Sequence, residues 1–323
     1  MPNDARLMLL DRDTVAGLLT HDVVLEAVTE AFRLHSQGAG RVFPVVRETL
    51  PGGGVFGIKS GDVPAEGLLG FKAAGFWPGN RAAGGEPHQA TIVLVDPATG
   101  RPRGIVDGNA ITTYRTGAAG AIGLKLLARP DSASACLFGT GVQAAIQLDF
   151  ALRTLPDLRT VRYLGSSGRA NADFEARFAD RCDIAMATHA DTAVAASDVV
   201  ICATPGRGPL FGLQAVRAGT HINAVGADTR GKRELPSGLL ERARLFVDDR
   251  VQARQIGELQ WLPDAACTEV GDLLCAARRP PRGASDITVF DMTGIALQDL
   301  TVARLVLQRA ASAGVGTVVA WPW

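Results

Sequence analysis

The chain has 323 residues with 33 lysines and arginines against 33 aspartates and glutamates, so its formal net charge is zero and nothing favours a nucleic acid or an anionic membrane as partner. That length can bury a sizeable core and suggests two domains, and although 47% of the residues are hydrophobic, no uninterrupted apolar run approaches the roughly 20 residues of a membrane helix. Asp4, Asp11 and Asp13 surround the short N-terminal apolar patch where a signal peptide would be basic, and the five cysteines show no CxxC spacing; a cytoplasmic protein with reduced thiols is expected.

In chain order, "DRDTVAGLLTHDVVLEAVTEAFRLHSQG" has helical spacing, with Val23, Val24, Ala27, Val28 and Phe32 on one side and Gly38 as its stop. His21 and His35 read as surface or capping residues. "FPVVRETL", "GVFGIKSG", "LLGFKAAGFW" and "ATIVLVDPATGRPRGIVDG" read as short strands of a small antiparallel meander, and "TTYRTGAAGAIGLKLLA" returns to a helix. From about residue 131 the pattern changes. "SACLFGTG", "TVRYLGSS", "DIAMAT", "DVVICATP", "HINAVGAD" and "LFVDD" are apolar runs mostly separated by helix-length segments, which implies βαβ crossovers and a parallel sheet covered on both faces. "ITVFDMTGIALQDLTVARLVLQRA" adds a strand and a closing amphipathic helix. Cys136 and Cys202 lie inside apolar runs and read as small core residues.

The stretch "ACLFGTGVQAAIQLDFAL" places Gly139, Gly141 and Ala144 between a strand and an amphipathic helix. A lone GxGxxA is weak in a chain with 37 glycines, but here strand–helix units follow it. In that setting Gly139 makes the tight turn, Gly141 lets backbone approach a pyrophosphate, and Ala144 allows close helix–strand contact. The free N–H groups and partial positive charge of the helix start then face the phosphates. An ordinary strand-to-helix turn is the bland alternative. After the second strand, "YLGSSGRANAD" offers Ser166, Ser167 and Arg169 and no carboxylate before Asp173. An acid there would hold the ribose of NAD; small hydroxyls and a guanidinium suit a 2′-phosphate, so NADP(H) is favoured over NAD(H). The alternative is a solvated Arg169 with NAD(H) held through backbone.

Five motifs, "FKAAGFWPGN", "TTYRTGAAGA", "FGTGVQA", "GADTRGKREL" and "FDMTGIALQDL", occur in an order and spacing similar to the ornithine cyclodeaminase/mu-crystallin family over nearly the whole chain. "FPVVRE", "LLGFKAAGFWPGN" and "PHQATIVLVDPATG" resemble its imine (iminosuccinate/ketimine) reductase branch most. The resemblance implies an α/β fold. On that resemblance a Rossmann-type dinucleotide-binding domain, residues 129–296, is expected to be inserted into a discontinuous α+β substrate-binding and dimerisation domain, 1–128 with 297–323. It further implies a homodimer with active sites in interdomain clefts.

The family reactions exchange hydride between nicotinamide and an α-imino acid. They need a cationic clamp for the α-carboxylate, a group exchanging a proton with nitrogen, and a dry pocket. The resemblance carries catalytic roles to Lys72 and Asp228, and substrate binding to Arg47, Lys59, Lys72, Arg115 and His88. Strand-borne Arg47 or Lys72 snorkelling to solvent, and His88 as a plain strand-edge histidine, are the bland alternatives. Cofactor contacts fall to Arg115, Thr116, Gly139, Gly141, Val142, Gln143, Ser166, Ser167, Arg169, Thr204, Val225, Gly226, Ala227, Asp228, Lys232, Thr293 and Gly294. The small residues after Arg115 are expected to bring that helix start close to cofactor and substrate, and Asp228 is expected beside Lys72. His221 reads as structural, and no cluster has metal-ligand spacing.

Three readings follow. In the first, an imino acid is reduced by NAD(P)H. In the second, ornithine is cyclised and deaminated with bound NAD. In the third, a mu-crystallin-like protein holds NADPH and a small ligand without turnover. Cyclodeaminases carry a glutamate near "GVFGIKSG" for the distal ammonium; here Lys59 stands there, which repels an amine and attracts a second carboxylate. Reduction of a dicarboxylic imine such as iminosuccinate therefore leads.

Overall fold

The computed structural model describes residues 5–277 and 281–321, and Asp4 falls outside them. Contacts divide the chain into Met1–Arg115 with Ile295–Trp323, and Thr116–Gly294. The first break lies inside the continuous helix Gly108–Leu127, not at the loop after it where the sequence pattern changes.

In the first unit, glycine- and proline-punctuated runs become an eight-stranded sheet in the order Thr317–Ala320, Arg6–Leu10, Pro102–Asp107, His88–Val95, Leu68–Phe76, Val55–Val63 and Arg41–Val42, with Val46–Thr49 also pairing Val55–Val63. The expected meander is its antiparallel centre. The sheet exceeds it because Arg6–Leu10 runs parallel to Pro102–Asp107 and Thr317–Ala320 pairs outside that. These strands have five and four residues, too short for a period-2 pattern to declare them. The helix expected over residues 11–38 is two, Arg12–Leu18 and His21–Ser36, since Leu19 and Thr20 take extended dihedrals. Asp11 accepts from Thr14 N at 2.9 Å to start the first, and Gly38, at φ +69, follows the second.

One sheet face is covered by the helix Ala296–Ala313, which also packs on His21–Ser36. Glycines bring it close: a Cβ at Gly70 would lie 2.9 Å from Leu300, and at Gly104 2.6 Å from Leu307. Leu297, Leu300 and Val306 are fully buried there, and each such side chain contributes about 1.5–3 kcal/mol.

The second unit is an all-parallel sheet ordered Asp183–Met186, Thr160–Leu164, Ser134–Phe138, Val199–Cys202, His221–Ala224, Thr288–Asp291, Arg244–Val247 and Cys267–Glu269. Every residue of Val199–Cys202, His221–Ala224 and Thr288–Asp291 is buried, as a sheet covered on both faces requires. Cys136 and Cys202 are in its core, where burial pushes the Cys136 thiol up to about 12. Buried His221 lies 2.9 Å from both Thr288 Oγ1 and Asn223 Oδ1, and burial lowers its pKa to about 3.

Two expected crossover helices do not form. Residues 203–220 hold one short 3-10 turn, Leu213–Ala215, and residues 225–243 run as irregular chain. Pro205, Gly206, Gly208, Pro209 and Gly212 interrupt the former, and Gly226, Gly231, Pro236 and Gly238 the latter. Cys267–Glu269 is an additional edge strand. Among the described residues, no helix is long and apolar enough to cross a membrane.

Candidate active site

Strand register gathers the cations of the first unit. Arg47 pairs with Gly57, Lys59 with Lys72, and Lys72 with Ile92. Residues opposed across strands share a face, so Arg47, Lys59 and Lys72 lie on the face that Gly70 offers to the covering helix. Lys59 is 9% exposed and Lys72 4%, so neither snorkels into water. The first turn of Ala296–Ala313 places Asp299, 1% exposed, among them. Lys72 Nζ lies 2.8 Å from the Asp299 carboxylate and donates to Thr112 Oγ1 at 3.2 Å. Arg115 donates through Nε to Asp299 at 3.1 Å and through Nη1 to Gln298 Oε1 at 3.3 Å. His88 lies on the same face and bonds Asn109 Oδ1 at 2.9 Å.

Burial pulls the Lys72 ammonium down to about 8; Asp299 resists the fall, while Arg115 and Arg47 add to it. Burial alone would raise Asp299, but the charges of Lys72 and Arg115 outweigh it and hold the carboxyl below its ordinary range. Lys72 and Arg115 thus meet at one carboxylate, with the charge of Lys59 acting on that carboxylate and the charge of Arg47 on Lys72, and buried cations favour an anionic ligand.

The glycine turn of the second unit has the shape of a phosphate cradle. Gly139 has φ +108, and a Cβ there would sit 2.7 Å from Ala203 O. Its N–H donates to Leu164 O at 2.8 Å, tying the turn to the neighbouring strand. Gly141 caps the helix Val142–Thr154 with no side chain bonded to its first N–H groups, and a Cβ on it would meet nothing within 4 Å. Ala144 is fully buried against the turn. Uncapped donors, open space and a helix start fit a dinucleotide pyrophosphate. Ser166, Ser167 and Arg169 form an exposed turn after Thr160–Leu164, in which Ser167 Oγ bonds the Arg169 backbone.

The other residues marked in the sequence fall into three groups. Thr204 and Gly226 end adjacent strands and are joined by Glu234, with Val225 and Ala227 buried beside them. Within its own unit, Asp228 pairs with Lys232 at 2.7 Å and accepts from Thr229 Oγ1 at 3.2 Å. Thr293 donates to Asp248 at 2.7 Å, and the Gly294 N–H also bonds that carboxylate. Gln252 Nε2 reaches Thr293 Oγ1 at 2.6 Å and Gly294 O at 2.8 Å.

The glycines after Arg115 have a different use from the one expected. A Cβ at Gly117 would strike Phe150 and Ile146, and one at Gly120 would lie 2.0 Å from Gln147 Oε1. Gln147 also donates to Thr116 O at 2.6 Å. These small residues therefore seat the helix within the second unit, and Thr116 is buried by that packing.

Sequence reasoning missed Asp299, the partner of both Lys72 and Arg115. Its signal was a polar Gln298–Asp299 pair inside the apolar "GIALQDL" run. It also missed Glu234, Glu258, Asp248 and Asp291, four buried carboxylates of the second unit.

A parallel sheet of this order, with a glycine turn where the strand order reverses, defines a Rossmann-type dinucleotide-binding protein. The ornithine cyclodeaminase/mu-crystallin family profile matches residues 5–314, and the chain belongs to that family. It is 34% identical over 323 residues to the iminosuccinate reductase of Paracoccus denitrificans, covering 97% of this chain and 99% of that protein. The crystal structure of that reductase in complex with NAD+ matches with a TM-score of 0.87 at 33% identity, over 98% of this chain and 99% of that one. An archaeal alanine dehydrogenase dimer with bound NAD matches with a TM-score of 0.90 at 32% identity, over 98% and 99%. The Δ1-pyrroline-2-carboxylate reductase of Thermococcus litoralis, in complex with NADH and L-proline, gives 0.86 at 28% identity, over 96% and 99%.

Proposed function

We propose that this chain reduces an α-imino acid to the amino acid with NAD(P)H, and that its substrate is a dicarboxylic imine of the iminosuccinate type. The observation that carries this reading is the gathering of Arg47, Lys59 and Lys72 on one sheet face, where Lys72 and Arg115 are bonded to the carboxylate of Asp299. Lys72 and Arg115 hold the α-carboxylate. Lys59, directly opposite Lys72, takes the second carboxylate and disfavours the distal ammonium that a cyclodeaminase must accept. Relatives that bind NAD or NADH and carry reductase or dehydrogenase names support the same chemistry.

Gly139, Gly141 and the start of Val142–Thr154 hold the pyrophosphate; Thr204, Val225, Gly226, Ala227, Thr293 and Gly294 line the nucleotide edge. When bound, the reduced nicotinamide supplies hydride to the imine carbon. Asp228, kept at the strand end by Lys232, manages the proton that the nitrogen gains, so that C=N becomes CH–NH. Ser166, Ser167 and Arg169, with no acid before Asp173, support use of NADPH at least as readily as NADH. By analogy with the dimeric alanine dehydrogenase, the protein works as a homodimer built through its first unit. Five free cysteines support a cytoplasmic setting.

The test is NAD(P)H oxidation with imines formed in solution from oxaloacetate, pyruvate or glyoxylate and ammonia or methylamine. Saturable, amine-dependent oxidation is expected, with the dicarboxylic imine preferred about tenfold or more in kcat/KM. Oxidation that ignores the amine, or none with any imine, overturns the reading.

A further inference from the structure

We infer that Glu234 is a positioning residue that sets the two turns at the nucleotide edge for the cofactor. The inference rests on the reading that the second unit binds a dinucleotide. Glu234 is fully buried. One carboxylate oxygen accepts from Thr204 N at 2.8 Å and Thr204 Oγ1 at 2.7 Å. The other accepts from Gly226 N at 2.8 Å. Thr204 follows Val199–Cys202 and Gly226 follows His221–Ala224, which are neighbouring parallel strands. A single side chain therefore spans two strand ends on the edge where open α/β sheets bind ligands.

The surroundings are built for this carboxylate. A Cβ at Gly226 would lie 2.5 Å from Glu234 Oε2 and 2.2 Å from Thr204 O, so the glycine admits the bond. The Glu234 backbone is held in turn, its N–H donating to Glu258 Oε1 at 2.6 Å and Leu235 N to the same oxygen at 3.3 Å. Burial raises the Glu234 pKa, opposed by its three donors and by Lys232. Burying a carboxylate costs free energy that an apolar side chain of equal size would not, and here it returns a fixed geometry for two turns. Glu234 acts through Thr204 and Gly226, because both its oxygens are engaged by them.

Glu234→Gln separates this role from a merely structural one. The amide keeps the volume but turns an NH2 toward donors on one side, releasing either Thr204 or Gly226. Glu234→Asp keeps the charge but is one methylene short of spanning both turns. Kd for NADH and NADPH is read by fluorescence, and KM for cofactor and for imine by steady-state rates. The expected result is a rise of about tenfold in cofactor Kd and KM for both variants, with imine KM within about twofold of wild type. A structural role alone lowers the active fraction and Tm while leaving cofactor KM unchanged; that result overturns the inference. If Glu234→Gln does not fold, Glu234→Asp decides by the same criterion. Wild-type protein that binds neither NADH nor NADPH would instead overturn the dinucleotide reading, and this inference with it.

Discussion

In the first unit, Lys59, Lys72 and Arg115 are buried around Asp299; in the second, Glu234, Asp248, Glu258 and Asp291 are buried behind turns. The partners differ. Lys72 and Arg115 share a single side-chain carboxylate, whereas the acids accept largely from backbone N–H groups of Thr204, Gly226, Gly294, Glu234 and Leu259. Burial takes Lys72 down to about 8 and Glu258 up to about 7, each toward neutrality. Cations gathered on side chains are available to an anion that arrives. Carboxylates bonded to backbone N–H groups fix the shape of the turns they join. Buried charge alone does not mark a binding group; the identity of its partners does.

The largest effect that would break this contrast belongs to Lys72. Lys72→Met should lower turnover about 100-fold or more with cofactor Kd within about twofold, measured by steady-state rates and fluorescence titration. Turnover near that of wild type would remove Lys72 from the reaction.

Asp299→Asn should act through Lys72. The native ammonium, held near 8, must be charged to hold a carboxylate, so kcat/KM should fall as pH rises through about 8. Without the carboxylate, Lys72 stays buried beside Arg115 with less to support its charge, and its pKa drops further. The alkaline limb should move to lower pH, with about tenfold lost in kcat/KM at pH 8. An unchanged pH profile would show that Asp299 does not govern Lys72.

The smallest effect is at the exposed turn of the second unit. Arg169→Ala should reduce the ratio of kcat/KM for NADPH over NADH by up to about fivefold, the scale of an exposed ion pair. A ratio that does not move would leave 2′-phosphate recognition to other groups.

Much of this architecture is legible in sequence because its signals are local. Gly139, Gly141 and Ala144 stand in one turn, and period-2 alternation is enough to put Lys59 and Lys72 on one face once their strands pair. Asp299 is not local: helix spacing aligns it with buried Ala296, Val302, Ala303 and Val306, but its partner Lys72 lies 227 positions away, and nothing near it in sequence names that partner. Glu234 and Asp248 look like any of the chain's 33 acidic residues until folding brings backbone donors to them. The glycines after Arg115 mislead for a related reason. Small residues announce a close approach, but whether Phe150 or a ligand makes it depends on which helix packs there.

The central claim, that the cation cluster reads a second carboxylate through Lys59, is tested most directly by one ratio. It is kcat/KM for the imine of oxaloacetate divided by kcat/KM for the imine of pyruvate, in wild type and in Lys59→Ala. A charge-assisted contact is worth about 1.5–3 kcal/mol, so the ratio should fall by one to two decades in the variant while the pyruvate imine is little affected. Equal losses on both imines, or an unchanged ratio, would contradict it.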